Sequence, residues 1–238
     1  MAWRGVRWGS RQGPVALDLG RHTLKAARLS ARGAGARLDL LAARPTPPGA
    51  IDAEGRIADR VALTASLRAM AEDLDIVGAD VAAVIATPLV RLATIELEAR
   101  AGEDLGPLAA AELCRRYPEV SPDSAVSVML LAAEAPEAAD ALGRATVLAA
   151  ALPQDFVDGL LAVLDDAGFA PLVLEAAPLL GGGLLPAAEQ GRPTIVADLG
   201  AGHTTLTHWR AGWPTEVRCL AADDDLSAAR SEEHTSER

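Results

Sequence analysis

Hydrophobic and polar positions along the first half of the chain predict a sheet followed by a helix and a buried strand. Three strand-like segments are separated by polar or glycine-containing turns: residues 15–19, 24–30 and 37–43. Residues 59–74 then carry apolar side chains at helical spacing, and Asp59 stands where it can cap the helix. The continuous apolar run at residues 81–86 is typical of a buried central strand.

After Thr87 and Pro88 the pattern changes to that of a second, smaller module. Its predicted elements occur in the order strand, helix, strand, strand, helix, over residues 89–97, 102–117, 124–133, 144–151 and 154–167. Such a β-α-β-β-α unit is compact enough to form a subdomain inserted between Pro88 and Phe169.

The last third of the chain returns to apolar strands. Residues 171–174 predict a strand, and the Gly181-Gly-Gly183 run predicts a short helix or a hinge. A hairpin begins at Thr194, and residues 210–220 supply a further strand.

Two of these strands end in the same motif. The first reads Val15-Ala-Leu-Asp18-Leu-Gly20-Arg-His-Thr23-Leu-Lys25, and the second reads Ile195-Val-Ala-Asp198-Leu-Gly200-Ala-Gly202-His-Thr204. A glycine allows a tight turn whose consecutive N–H groups form a concave site for an anion such as phosphate. An aspartate at the strand end suits a hydrated Mg²⁺, which keeps most of its waters and takes few carboxylates. One such hairpin is an ordinary turn more often than a site, but two copies in one chain are a more specific signal of phosphate binding.

Composition restricts the function further. The formal charge of -11 argues against a general nucleic-acid binder, which needs clustered basic residues. Cys114 and Cys219 have no metal-like spacing, and His203 and His208, five residues apart on a predicted strand, would face opposite sides. No apolar run reaches the length of a membrane span, so we expect a cytoplasmic protein.

The paired hairpins resemble the phosphate 1 and phosphate 2 loops of the actin, Hsp70 and sugar kinase superfamily. The segment from Leu17 to Ala26 resembles more narrowly the opening of PilM-type proteins, the actin-like cytoplasmic proteins of type IV pilus assembly. The motifs Val84-Ile-Ala-Thr-Pro88 and Val196-Ala-Asp198-Leu-Gly200 follow in the order found in that family. The resemblance covers most of residues 14–220 and implies an α/β, actin-like (ribonuclease H-like) ATPase fold with an inserted β-α-β-β-α subdomain and an incomplete second lobe.

The resemblance also implies a division of the chain. The first lobe would comprise residues 13–88 and a return segment and hinge at residues 170–192, interrupted by the inserted subdomain at residues 89–169. The second lobe would start at residues 193–229. Residues 1–12 are expected to form a disordered basic tail, and residues 230–238 resemble a translated sequencing adapter, so we expect a non-native tail on a C-terminally truncated chain.

In this family ATP and Mg²⁺ bind between the two lobes. Carried over to this sequence, Asp18 would face Mg²⁺ through water, and Lys25 would approach the phosphates as a point charge. The remaining implied nucleotide-binding residues are Gly20, Arg21, His22 and Thr23 in the first loop and Asp198, Gly200, Gly202 and Thr204 in the opposing loop. Glu175, which ends a strand between the two hairpins, is the one acid that we nominate as a base or water-positioning residue.

Some features depart from the family pattern. Arg21 and His22 replace a small residue after Gly20, and the acidic run at residues 223–225 would repel a nucleotide. Because the remainder of the second lobe is missing from the sequence, we expect weak ATP binding or none, and at most weak ATPase activity.

The resemblance implies a scaffold at the inner face of the inner membrane. Its partner would be the cytoplasmic tail of a PilN-like inner-membrane protein, bound through residues 89–169. Two alternatives remain open: the cytoplasmic domain of a type II secretion L-type protein or an FtsA-like cell-division protein, and a sugar or acetate kinase-like phosphotransferase. The absence of a glycine-rich sugar pocket motif in the inserted subdomain favours the scaffold.

Overall fold

The computed structural model describes residues 12–32, 35–85, 87–100, 102–134, 142–185, 191–200 and 202–221. The expected basic tail therefore lies outside the described residues except for Gln12, which begins the first strand. The expected non-native tail and the acidic run at residues 223–225 also lie outside them. The chain divides into two compact units, residues 1–180 and 181–238.

The strands and helices of the first unit follow the predicted order with small changes at their ends. They are β1 (Gln12–Leu19), β2 (Thr23–Arg32), β3 (Gly35–Pro45), α1 (Arg60–Asp73), β4 (Asp80–Ile85), β5 (Arg91–Ala99), α2 (Leu105–Arg116), β6 (Ala125–Glu134), β7 (Gly143–Leu152), α3 (Gln154–Asp166) and β8 (Ala170–Ala176). Helix α4 (Ala177–Leu184) crosses from the first unit into the second. The second unit continues with β9 (Thr194–Leu199), β10 (His203–Arg210) and β11 (Trp213–Ala221).

A five-stranded sheet in the order β3-β2-β1-β4-β8 forms the centre of the first unit. Strands β1, β2 and β3 make the predicted antiparallel meander, whereas β1, β4 and β8 run parallel. Helix α1 packs on this sheet through Leu63, Leu67 and Met70, which are fully buried with Val15 and Leu17 of β1. Asp59 caps α1 as predicted, because its Oδ1 accepts the backbone N–H of Ala62 at 2.9 Å.

The inserted elements form a separate antiparallel sheet in the order β5-β7-β6. Helix α2 covers one face of this sheet, where Ala109 and Leu113 are buried with Ile95 and Val147. Among the helices of the described residues, none combines the length and the hydrophobicity of a membrane-spanning segment.

Helix α3 packs differently from the prediction, which grouped it with the inserted subdomain. Its buried residues Leu160, Val163 and Leu164 belong to the core of the five-stranded sheet. Both Arg60 and Arg68 of α1 bond to Asp166 at the end of α3, through its carboxylate and its backbone carbonyl respectively. An apolar stripe shows which face of a helix is buried but not which of two sheets it covers, so the pattern alone could not assign α3.

The second unit contains a three-stranded antiparallel sheet in the order β11-β10-β9. Its buried face carries Thr205, Thr207 and Trp209 of β10. The indole of Trp209 lies against Gly182, where an added Cβ would come within 2.3 Å of the ring. The glycine run, for which a short helix or a hinge was predicted, lies in the last turn of α4. The missing side chain of Gly182 leaves space for the indole of Trp209.

Candidate functional site

The first hairpin closes through a four-residue turn, residues 20–23, between β1 and β2. Leu19 pairs with Leu24, and the Gly20 N–H donates to the Thr23 carbonyl at 3.1 Å. A Cβ on Gly20 would lie 2.8 Å from that same carbonyl oxygen, closer than real Cβ atoms approach. Only glycine fits this position without moving the turn.

Two further carbonyls of the turn are held by a residue that the sequence analysis missed. The Thr46 hydroxyl donates to the Gly20 carbonyl at 2.6 Å, and the Thr46 backbone N–H donates to the His22 carbonyl at 3.1 Å. The sequence feature that could have drawn attention to Thr46 is its position as a single polar residue between Pro45 and Pro47, directly after a strand. That feature does not reveal which distant loop the threonine contacts.

The N–H groups of the turn remain available to a ligand. Within the described residues, no acceptor pairs with the backbone N–H groups of Arg21 and His22. Both residues are exposed to solvent, so their side chains need not fill the space in front of these groups. With three of its four carbonyls bonded internally and two N–H groups unpaired, the turn has the polarity of an anion-binding nest.

Asp18 and Lys25 meet at the base of the turn. They are register partners on β1 and β2, and Lys25 Nζ donates to Asp18 Oδ2 at 2.8 Å. The two side chains are 43% and 58% exposed, respectively, so both are accessible to a solvent-borne ligand. The structure thus brings together all six residues predicted for the first loop: Asp18, Gly20, Arg21, His22, Thr23 and Lys25.

Glu175 lies on the same face of the five-stranded sheet as Asp18. Asp18 pairs with Val84, and Val84 pairs with Glu175, so the three residues are adjacent on parallel strands. Each is the penultimate residue of its strand, at the carboxyl edge where α/β sheets bind ligands. Two strand spacings put the Asp18 and Glu175 backbones about 10 Å apart. The predicted acid therefore belongs to the same edge as the first loop.

The environment of Glu175 favours its protonated form. The residue is buried, and desolvation raises the pKa of its carboxyl, an effect that the backbone N–H of Ala176 partly offsets. A carboxyl group with a raised pKa is suited to accept and release a proton closer to neutral pH.

The second hairpin repeats the local geometry of the first. Leu199 pairs with Thr204 and Asp198 with Thr205, as Leu19 pairs with Leu24 and Asp18 with Lys25. The Gly200 N–H donates to the His203 carbonyl at 3.0 Å, and a Cβ on Gly200 would lie 2.8 Å from that oxygen.

The repeated register refines the list of residues in the second loop. Asp198, Gly200 and Gly202 occupy the positions of Asp18, Gly20 and His22, whereas Thr204 takes the place of Leu24 within the strand ladder. The counterpart of Thr23 is His203, whose role in closing the turn the sequence analysis did not identify.

The donor set suits magnesium held mainly through water. The described residues contain no cluster of three or more histidine, cysteine, aspartate or glutamate side chains able to bind a metal directly. Asp18 lies at the base of the turn that carries the unpaired N–H groups, so a single carboxylate and an anion-binding turn occur in one hairpin. This combination fits a hydrated Mg²⁺ bound jointly with a phosphate ligand.

Helix α2 of the inserted subdomain ends in a cluster of salt-bridged side chains. Glu112 accepts hydrogen bonds from Arg115 and Arg116. These bonds lower the pKa of the Glu112 carboxyl to about 2, and those from Arg115 have the largest effect. Arg91 of β5 similarly pairs with Glu119, and its guanidinium also bonds the Pro88 carbonyl. Arg91 thus connects β5 to the segment after α2 and to the segment before β5, whereas the Glu112 pairs lie within α2.

No protein-family model matches the chain, and no curated protein sequence matches it. Solved structures do match. The chain is similar to the protein in a structure described as the PilM-PilN type IV pilus biogenesis complex, with 27% identity and a TM-score of 0.73, over 95% of this chain and 70% of that chain. It is also similar to the cytoplasmic domain of EpsL, an inner membrane component of the type II secretion system of Vibrio cholerae, with 15% identity and a TM-score of 0.59, over 94% and 77% of the two chains.

A third structure, a protein of Bacteroides thetaiotaomicron with an actin-like ATPase fold and unknown function, matches with 9% identity and a TM-score of 0.54, over 95% of this chain and 77% of that chain. At such low identities the second and third likenesses show the fold alone. Together with the higher identity of the first, they confirm the predicted fold and the resemblance on which it was based. The chain has the actin-like ATPase fold, and it is similar over most of its length to the protein in the PilM-PilN complex.

Proposed function

We propose that this protein is a nucleotide-binding scaffold of a type IV pilus assembly machinery. The observation that carries the proposal is the first hairpin, in which two unpaired N–H groups, an exposed aspartate and a lysine surround one turn. Support comes from the matching geometry of the second hairpin and from the likeness to a PilM-PilN complex.

The roles of the first-hairpin residues follow from their chemistry. The N–H groups of the turn bind phosphate oxygens, and Lys25 neutralises part of their charge. Asp18 holds Mg²⁺ through water, and that ion, when bound, supplies further neutralisation of the phosphates. Asp198, Gly200 and Gly202 form a second phosphate-binding loop of the same design, and Thr204 follows them in the strand.

Glu175 is the proposed water-positioning residue or base for slow hydrolysis. Its burial at the carboxyl edge of the sheet and its raised pKa support this assignment. The same observation favours the second candidate, a kinase-like phosphotransferase, in which Glu175 would accept the proton of a substrate hydroxyl. A partner-binding scaffold is preferred because of the likeness to a pilus complex.

The inserted subdomain is the proposed site for a PilN-like cytoplasmic tail. Binding there would place the protein at the inner face of the inner membrane through its partner. A fluorescent peptide of a PilN-type tail should bind the full-length protein in an anisotropy titration, whereas a scrambled peptide of equal charge should not. Equal binding of the two peptides would contradict the docking role without bearing on nucleotide binding.

The nucleotide proposal is tested by calorimetric titration of Mg-ATP into the full-length gene product. Asp18→Ala should weaken binding by at least about tenfold, or about 1.4 kcal/mol. Asp39→Ala is the matched control, because Asp39 is also a strand aspartate of this sheet paired with a basic side chain, Arg37. The proposal fails if the wild type does not bind Mg-ATP, or if Asp18→Ala and Asp39→Ala bind it equally.

A further inference from the structure

Thr46 is a buried polar residue that lies between two prolines and faces the first hairpin. It follows β3 directly, and only 6% of its surface is exposed. Pro45 and Pro47 restrict the backbone on both sides, since proline fixes its own φ and biases the preceding residue toward extended conformations. The segment is therefore suited to hold one side chain in a fixed place.

Both hydrogen-bond donors of Thr46 bind carbonyls of the turn at residues 20–23. The hydroxyl donates to the Gly20 carbonyl at 2.6 Å, and the backbone N–H donates to the His22 carbonyl at 3.1 Å. The Thr23 carbonyl is already occupied by the Gly20 N–H. Three of the four carbonyls of the turn are thus bonded within the protein.

Holding these carbonyls also determines where the neighbouring N–H groups point. In a planar trans peptide the C=O and the N–H point in opposite directions. Because the Gly20 carbonyl points at Thr46, the Arg21 N–H points away from it. If the peptide rotated, the negative end of its dipole would face an approaching phosphate instead.

We propose that Thr46 is a positioning residue that orients the Gly20–Arg21 peptide so that the Arg21 N–H of the turn faces a phosphate. The effect of Thr46 on phosphate binding rests on the proposed nucleotide function. The orientation of the Gly20–Arg21 peptide, in contrast, is a property of the nucleotide-free protein. Thr46 does not touch the ligand; it acts through the hydroxyl bond to Gly20.

Substitution of the hydroxyl tests the proposal. Thr46→Val keeps the shape and the backbone N–H bond but removes the hydroxyl, whereas Thr46→Ser restores a hydroxyl. Thr64→Val is the matched control, because the buried Thr64 hydroxyl has no hydrogen-bond partner within the described residues. The measurements are the carbonyl carbon resonance of Gly20 and the amide nitrogen resonance of Arg21 without nucleotide, the Mg-ATP dissociation constant, and the melting temperature.

Thr46→Val should shift both resonances and raise the Mg-ATP dissociation constant about tenfold, which is about 1.4 kcal/mol. Thr46→Ser and Thr64→Val should leave the resonances and the affinity near those of the wild type. The proposal is overturned if Thr46→Val lowers the melting temperature but leaves the resonances and the affinity unchanged. It is also overturned if the resonances and the affinity of Thr46→Ser differ from those of the wild type as much as those of Thr46→Val do.

The experiment separates this inference from the proposed function. If the wild type does not bind Mg-ATP, the proposed function fails, and the two resonances still decide whether Thr46 orients the peptide. If Mg-ATP binds equally to the wild type and Thr46→Val although the resonances shift, the loop orientation does not control binding and the positioning role is wrong.

Discussion

Lys25 Nζ lies 2.8 Å from Asp18 Oδ2, across the register of the first hairpin. The lysine thus sits beside the carboxylate that we propose for Mg²⁺. Lys25 is also the only lysine in the sequence, since every other basic residue among the 22 lysines and arginines is arginine. A lysine is a compact charge on a flexible stem and can move between a carboxylate and a phosphate.

The single lysine provides a chemical probe of the site. An amine-reactive label should modify Lys25 in the nucleotide-free protein, because its side chain is 58% exposed. Saturating Mg-ATP should slow this modification several-fold, as read by peptide mass spectrometry, while labelling of the N-terminal amine stays constant. Equal labelling of Lys25 with and without Mg-ATP would count against a phosphate bound at this turn, and Lys25→Arg controls for the site of labelling.

Alanine at Gly20 or Gly200 should destabilise the protein by about 1–3 kcal/mol. The reason is the same in both hairpins, because the new Cβ would lie 2.8 Å from a backbone carbonyl oxygen, of Thr23 or of His203. Chemical unfolding of each variant measures the change. Gly159→Ala in α3 is the control, since a Cβ there meets nothing within 4 Å, and it should stabilise by about 0.5–1 kcal/mol. If Gly20→Ala and Gly200→Ala are as stable as the wild type, the turn geometry described here is wrong.

The contact between Gly182 and Trp209 predicts that alanine substitutions at two neighbouring glycines of α4 change the stability of the protein differently. Gly182→Ala would place a Cβ 2.3 Å from the indole ring and should destabilise by about 1–3 kcal/mol. Gly183→Ala, one residue further in α4, meets nothing within 4 Å and should be neutral or stabilising. Thermal unfolding, together with the indole N–H resonance of Trp209, distinguishes the two. Equal stability of both variants would show that the indole does not pack on Gly182.

Glu175→Gln should stabilise the protein at neutral pH and have little effect in acid. Burial raises the pKa of Glu175 above its usual value of 4.5, so the folded state holds the proton more tightly than the unfolded state. The associated stability is present below about pH 4.5 and is lost as the pH rises through the folded-state pKa. Glutamine removes that loss, so at pH 7 the melting temperature should rise by about a few degrees.

Melting curves at pH 4 and pH 7 measure this difference. Glu98→Gln, on β5, is the matched control, because it makes the same substitution at a solvent-exposed strand position. A Glu175→Gln variant that is equally stabilised at both pH values would show that ionisation of Glu175 is not the cause.

Local sequence was sufficient to predict most elements and both hairpins. A strand ending in Asp-Leu-Gly encodes its own turn, because the glycine and the register lie within a few residues of each other. The turn of the first hairpin, between Asp18 and Lys25, was therefore predictable from local sequence. Thr204 is an exception, since its register position places it in the β10 ladder rather than in the turn.

Contacts between distant segments were not predictable in the same way. The bonds from Thr46 to Gly20 and His22 depend on where the crossover after β3 passes the hairpin. The packing of α3 on the five-stranded sheet depends on competition between two apolar surfaces. The alignment of Asp18, Val84 and Glu175 depends on strand order and register, which a periodic pattern leaves open.

The most direct test of the central claim is an NMR titration of the full-length protein with Mg-ATP, observed at the amide groups of Arg21 and His22. Within the described residues these N–H groups have no internal acceptor, so a bound phosphate should shift both resonances in a saturable way. Asp18→Ala should abolish the shifts at the same nucleotide concentration. Saturable binding that leaves both resonances unchanged, or the absence of binding, would contradict the assignment of this hairpin as a phosphate site.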